Sequence, residues 1–109
     1  MVDDSVFVPG KVIYNSFRIS FIKPFDQQTE ALTEDLIQVE YDHGFIIDIG
    51  WYPELDPKGN IVVQLIKDKR WDQPIERTTV TDLNEMYDVI KHMIIMIGTE
   101  SRKIIDKEN

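Results

Sequence analysis

The chain has 109 residues, 42% of them apolar and 10% aromatic, with only five Gly and five Pro, which is enough for one folded domain with a core and too little for a second. Twenty acids against twelve Lys and Arg leave a formal charge of -8, which argues against binding a nucleic-acid backbone and favours a basic partner. The absence of cysteine excludes disulfides, thiolate nucleophiles and zinc–thiolate sites.

The N-terminal residues carry Asp3 and Asp4 where a secretory signal needs positive charge, and the longest apolar run, Met93 to Ile97, is far below the roughly 20 residues that cross a bilayer. A cytoplasmic protein with no membrane contact is expected. Residues 12 to 22 alternate, placing Ile13, Phe17, Ile19 and Phe21 opposite Tyr14, Ser16, Arg18 and Ser20. A strand is predicted for the latter half at least, with helix open for residues 11 to 17. Beyond Pro24, residues 26 to 34 are polar and read as a loop or a short surface helix.

Leu36 to Tyr41 and Phe45 to Tyr52 then alternate on either side of Asp42-His43-Gly44, where glycine supplies the positive φ of a tight hairpin. The second arm is partly apolar on both sides, which suits a central strand. Trp51 falls with Phe45, Ile47 and Ile49 on its core side, and Tyr52 on the other. Gly50 marks a bulge or a close approach of another backbone. Asp56-Pro57-Lys58-Gly59 supplies a turn, Ile61 to Ile66 a β-branched strand, Asp68 to Pro74 a connection, and Ile75 to Val80 an edge strand.

The last element starts at Asp82, with Glu85 three residues on as in a capping box. Leu83, Met86, Tyr87, Ile90, Met93, Ile94 and Ile97 follow at helical spacing. Gly98 is expected to end the periodic run, leaving 99 to 109 frayed unless Ile104 and Ile105 carry the helix on. Ile95 and Met96 widen the apolar surface, for deeper burial or for a homodimer contact. The fold class is therefore α+β: an antiparallel four- to five-stranded meander packed on a long C-terminal helix, in two layers, leaving one sheet face open to solvent or a partner.

No motif specifies a reaction. His43 and His92 lack the ligand spacing of a metal site, no glycine-rich phosphate loop exists, and no cofactor is implied. Residues 56 to 60 only superficially resemble a calcium loop. Asp48 and Glu54, flanking Trp51 and Tyr52, are the one carboxylate pair in a glycosidase-like setting, but so short a domain seldom forms the cleft that such an enzyme needs.

The location of the charge is more informative. Residues 24 to 57 hold nine carboxylates and no Lys or Arg, whereas the other 75 residues carry eleven acids and twelve bases. A solvated face is one reading and an electrostatic docking face the other. Asp48-Ile-Gly-Trp-Tyr-Pro-Glu-Leu-Asp-Pro-Lys-Gly-Asn-Ile, followed by Arg70-Trp-Asp-Gln-Pro-Ile, resembles a module of small acidic bacterial proteins that include immunity proteins of polymorphic toxin systems, contact-dependent growth inhibition among them. The likeness spans roughly residues 36 to 97. It implies a non-enzymatic inhibitor that binds and occludes a basic toxin domain, commonly a nuclease.

Such families diverge at the toxin-binding face, so the candidate contacts come from charge and residue type: Glu40, Asp42, Asp48, Glu54 and Asp56 as carboxylates, with Tyr52 and Trp71 as anchors. Trp71, in a loop, is either a lid on the core or an exposed contact. The alternative function is a non-inhibitory interaction domain or a homo-oligomer joined through the helix.

Overall fold

A computed structural model describes residues 2 to 108. Five strands follow one another in space as in sequence: β1 (Lys11–Asn15), β2 (Ile37–Glu40), β3 (Phe45–Tyr52), β4 (Asn60–Lys67) and β5 (Glu76–Val80), every neighbouring pair antiparallel. One helix, α1 (Leu83–Glu108), packs on a single face of this sheet. The expected two-layer meander with a C-terminal helix is the observed architecture.

Alternation builds the core face. Phe45, Ile47, Ile49 and Trp51 of β3 lie beside Leu65, Val63 and Ile61 of β4, and all are buried with Met86, Ile90, Met93 and Ile97 of α1. The helix starts as its capping box dictates: Asp82 Oδ1 accepts from Glu85 N at 2.8 Å, and Glu85 Oε2 reaches back to Thr81 N and Oγ1. Gly98 does not stop it. Glycine inside a helix costs only about 1 kcal/mol, and half-buried Ile104 docks beside Phe45, Lys67 and Ile75 one periodic step further on. Of the expected frayed tail, 99 to 108 is helical, and Asn109 lies outside the described residues.

The first strand departs from expectation. β1 is confined to Lys11–Asn15; Val12 pairs with core-facing Val39, so Ile13, 42% exposed, faces away from the core, and the register shift that follows sets Tyr14 opposite Gln38 on the other sheet face. Residues 16 to 22 are not a strand. Ser16 N still donates to Leu36 O, but beyond it side chains take over part of the backbone: Asn15 Oδ1 accepts from Phe17 N, and Gln28 Oε1 from Ser20 N. Phe17 and Ile19 are buried nonetheless, so their alternation reflects burial without pairing. Residues 26 to 34 are not a surface helix either. They hold short 3-10 turns at Phe25–Gln27 and Thr29–Ala31, and Gln28, Ala31 and Leu32 are buried.

This excursion covers the Trp51 end of the sheet, where α1 begins. Phe25 meets Trp51 edge-on at 5.0 Å, and Phe21 meets Phe25 at 5.8 Å. Trp51 is core, as expected, with its Nε1 donating to Asp56 O at 2.7 Å. The hairpin closes through Tyr41 N donating to Phe45 O, with both His43 and Gly44 at positive φ. The Asp56 turn closes with Gly59 N donating to Asp56 O at 2.9 Å.

Candidate functional site

Among the described residues no helix or strand forms a second layer on the sheet face turned away from α1, yet Ile46, Asp48, Val62 and Ile66 on that face are each 8% exposed or less, and pairing register fixes what it displays. Tyr14 pairs with Gln38, Gln38 with Asp48, Asp48 with Gln64, and Gln64 with Arg77. Directly opposed residues share a face, so these five side chains form one polar row across all five strands. Apolar residues flank the row on this face: Ile46 and Ile66 to one side, Gly50 and Val62 to the other.

Asp48, at the centre, is 8% exposed. Its carboxyl is raised to about 6, chiefly by loss of solvent and further by the nearby Asp35 charge, against a partial offset from Gln38. Tyr14 is pushed up to about 12 by desolvation and by the charges of Asp48 and Asp35, and Asp35 Oδ1 accepts from its hydroxyl at 3.5 Å. Tyr52 is raised for the same reasons, with Glu34 adding to the field. Asp35 and Asp48 thus act on both tyrosines, and Glu34 on Tyr52.

Glycine makes this arrangement possible. A Cβ at position 50 would stand 2.1 Å from Glu34 O, so the Glu34 backbone lies directly over the sheet where the side chain is missing. The close approach expected at Gly50 is present. Thr33 O accepts from Trp51 N and Ile49 O from Leu36 N, which pins the 33–36 segment to β3 on both sides of Glu34. Glu54 Oε1 accepts from Glu34 N at 3.3 Å and closes the cluster from the other strand end.

Of the residues expected to make contact, Asp48, Tyr52 and Glu54 are brought together here. Glu40 and Asp42 sit toward the other end of β3: Glu40 pairs with Ile46, about 20 Å by strand rise from Tyr52 but only about 7 Å from Asp48. Asp56 is half-buried in its turn, where its carboxylate caps Lys58 N. Trp71 is 46% exposed in the loop after β4, a displayed side chain rather than a lid. Sequence reasoning did not select Tyr14, Glu34, Asp35, Gln38, Gln64 or Arg77. The strand alternation around each was visible, but the pairing register that aligns them was not.

Among the described residues the ion pairs are Lys67 with Asp68, Glu76 with His92, and Glu100 with Lys103. None involves Glu34, Asp35, Asp48 or Glu54. No family model, curated protein or solved structure matches the chain. The site is therefore read from its own chemistry. No group of three His, Asp or Glu among the described residues is arranged to hold a metal ion, and no described helix is long and apolar enough to cross a membrane.

Elsewhere, His92 lies on the α1 face next to β5. It is exposed, and its Nε2 lies 3.3 Å from the buried Glu76 Oε2, linking α1 to β5. On the helix, Ile95 is 69% exposed whereas Met96 packs half-buried against the core, which divides the two residues expected to share a role.

Proposed function

We propose that this chain is an immunity-type inhibitor that binds a basic toxin domain, a nuclease by preference, and neutralises it in the cytoplasm by occluding it electrostatically and sterically. The observation that carries the reading is the group of carboxylates about this sheet face, the nearly buried Asp48 with exposed Glu34, Asp35 and Glu54 beside it, none of them ion-paired among the described residues. Holding Asp48 nearly buried and unneutralised costs folding free energy. A cation supplied from outside offsets that cost only in the complex, which is the economy expected of a recognition surface.

The Lys and Arg residues with which a nuclease holds phosphate would meet this face, and the long-range field would steer the encounter. Tyr14 and Tyr52 supply the amphipathic contact area typical of interface anchors. No bond is made or broken in this mechanism, and no cofactor enters it.

The test is co-expression with the product of the reading frame adjacent to this chain's own, scoring rescue from toxicity and stoichiometric co-purification. Rescue that is lost on reversing Glu34, Asp35 and Glu54 together supports the reading; rescue unaffected by the triple reversal refutes the placement of the site. A homo-oligomer is favoured by one observation, the exposure of Ile95 and Ile105 along α1. Sedimentation separates the two readings, because a stable dimer dissociated by Ile95→Lys supports the second.

A further inference from the structure

At the Tyr52 end of β3 the sheet face dips into a shallow, solvent-open cavity of about 440 Å³, lined by Glu34, Tyr52, Glu54, Asn60, Val62 and Arg77 together with Pro53 and Thr79. It is already entered by a guanidinium. Arg77 Cζ lies 5.5 Å from the centroid of the Tyr52 ring, within cation–π range. Although the wall carries two carboxylates, Arg77 forms no salt bridge with either. Glu54 is instead tethered to the Glu34 backbone, so its carboxylate is held at the rim rather than drawn onto Arg77. The cavity therefore combines an aromatic platform, two unneutralised carboxylates, the Asn60 amide and a cation of the chain's own seated on the platform.

We propose that this cavity receives one arginine side chain of the partner, and that Arg77 is the internal cation that shares Tyr52 with it. The proposal rests on the inhibitor reading and specifies which residue of a basic partner is recognised and where. Arginine fits better than lysine because a planar guanidinium stacks on tyrosine while donating in a fork to a carboxylate, whereas an ammonium is a compact and more strongly hydrated charge. Tyr52 supplies the stacking surface, Glu34 and Glu54 accept the donated hydrogen bonds, and Arg77 competes for the ring.

Titration of the full chain with acetyl-tetraarginine amide and acetyl-tetralysine amide tests this, with Tyr52 ring resonances followed by NMR. The arginine peptide is expected to shift those resonances and to bind more tightly than the lysine peptide. Arg77→Ala is expected to tighten arginine binding about two- to fivefold more than Lys107→Ala, a remote variant with the same change in net charge. Tyr52→Leu is expected to erase the preference for arginine, with circular dichroism confirming that the variant is folded. Equal binding of both peptides, or equal gains from Arg77→Ala and Lys107→Ala, overturns the proposal. If the peptide results hold but Tyr52→Leu still binds the toxin as the parent chain does, the arginine-receptor role in the complex falls while the inhibitor reading stands.

Discussion

Asp48 occupies the centre of an eight-residue strand, where an apolar side chain would serve stability better. Its carboxyl is raised to about 6, above an unfolded value near 4, so the folded chain holds this proton more tightly than the unfolded chain does. Its contribution to stability is therefore greatest below about pH 4, and is lost as pH rises through 4 to 6. Asp48→Asn should remove that loss, raising stability at pH 8 by about 1–2 kcal/mol after allowance for solvent at the rim. Urea unfolding of both chains at pH 4.5 and pH 8 measures it; an identical pH dependence in the two would contradict the burial cost. Gly50 makes the complementary case. Since a methyl group there meets Glu34 O at 2.1 Å, Gly50→Ala should displace the 33–36 segment and cost about 2–4 kcal/mol, read as a lower thermal midpoint and altered Tyr14 resonances. At this scale the sequence marked Asp48, Gly50 and Tyr52. Tyr14 and Asp35 stayed hidden because their proximity to Asp48 depends on the bulge in β1 and on the approach of the 33–36 backbone, neither of which alternation encodes.

Whole elements were legible wherever side-chain period and end signals agreed. β3 spans Phe45–Tyr52 as its alternation dictates, and α1 begins after Asp82 because its cap and its apolar stripe coincide. Where they conflicted, packing decided. Gly98 reads as a stop by local chemistry, yet continuing the helix buries Ile104, and a Cβ at position 98 meets no atom within 4 Å. Gly98→Ala should therefore stabilise the chain by about 0.5–1 kcal/mol in chemical denaturation; destabilisation would mean that the position serves a close contact. In residues 16 to 22 the error has a different cause. Phe17 and Ile19 alternate as strand residues do, but the buried Gln28 amide takes the partners that a ladder would use, donating to Ser20 O at 2.7 Å and accepting from Ser20 N at 2.8 Å. Gln28→Leu should leave those groups unpartnered and cost about 2–3 kcal/mol, with faster hydrogen exchange confined to residues 20 to 24.

For the molecule as a whole, the net charge of -8 resolves into separate places. The acids of residues 24 to 57 do not form one continuous face. Glu34, Asp35 and Glu54 gather at one end of the sheet, Asp48 lies at its centre, Glu40 and Asp42 lie toward the other end, and Asp56 is engaged in its own turn. Sequence position located the acidic third; folding divides it, because β2 and β3 run antiparallel and carry their ends to opposite poles of the sheet. α1, at about 39 Å by helical rise, is longer than any strand, but it lies behind the face that bears the carboxylates. A basic partner steered by this field should feel one pole more than the other. The decisive measurement is the association rate constant with the basic toxin domain at two ionic strengths, for the parent chain, for the Glu34→Lys/Asp35→Lys/Glu54→Lys variant, and for Glu40→Lys/Asp42→Lys/Asp68→Lys, which carries the same charge change at the far end. The first variant should associate at least about tenfold more slowly and lose most of its salt dependence, with the second changing far less; equal slowing by both would show that only net charge matters and would contradict a site on the open face.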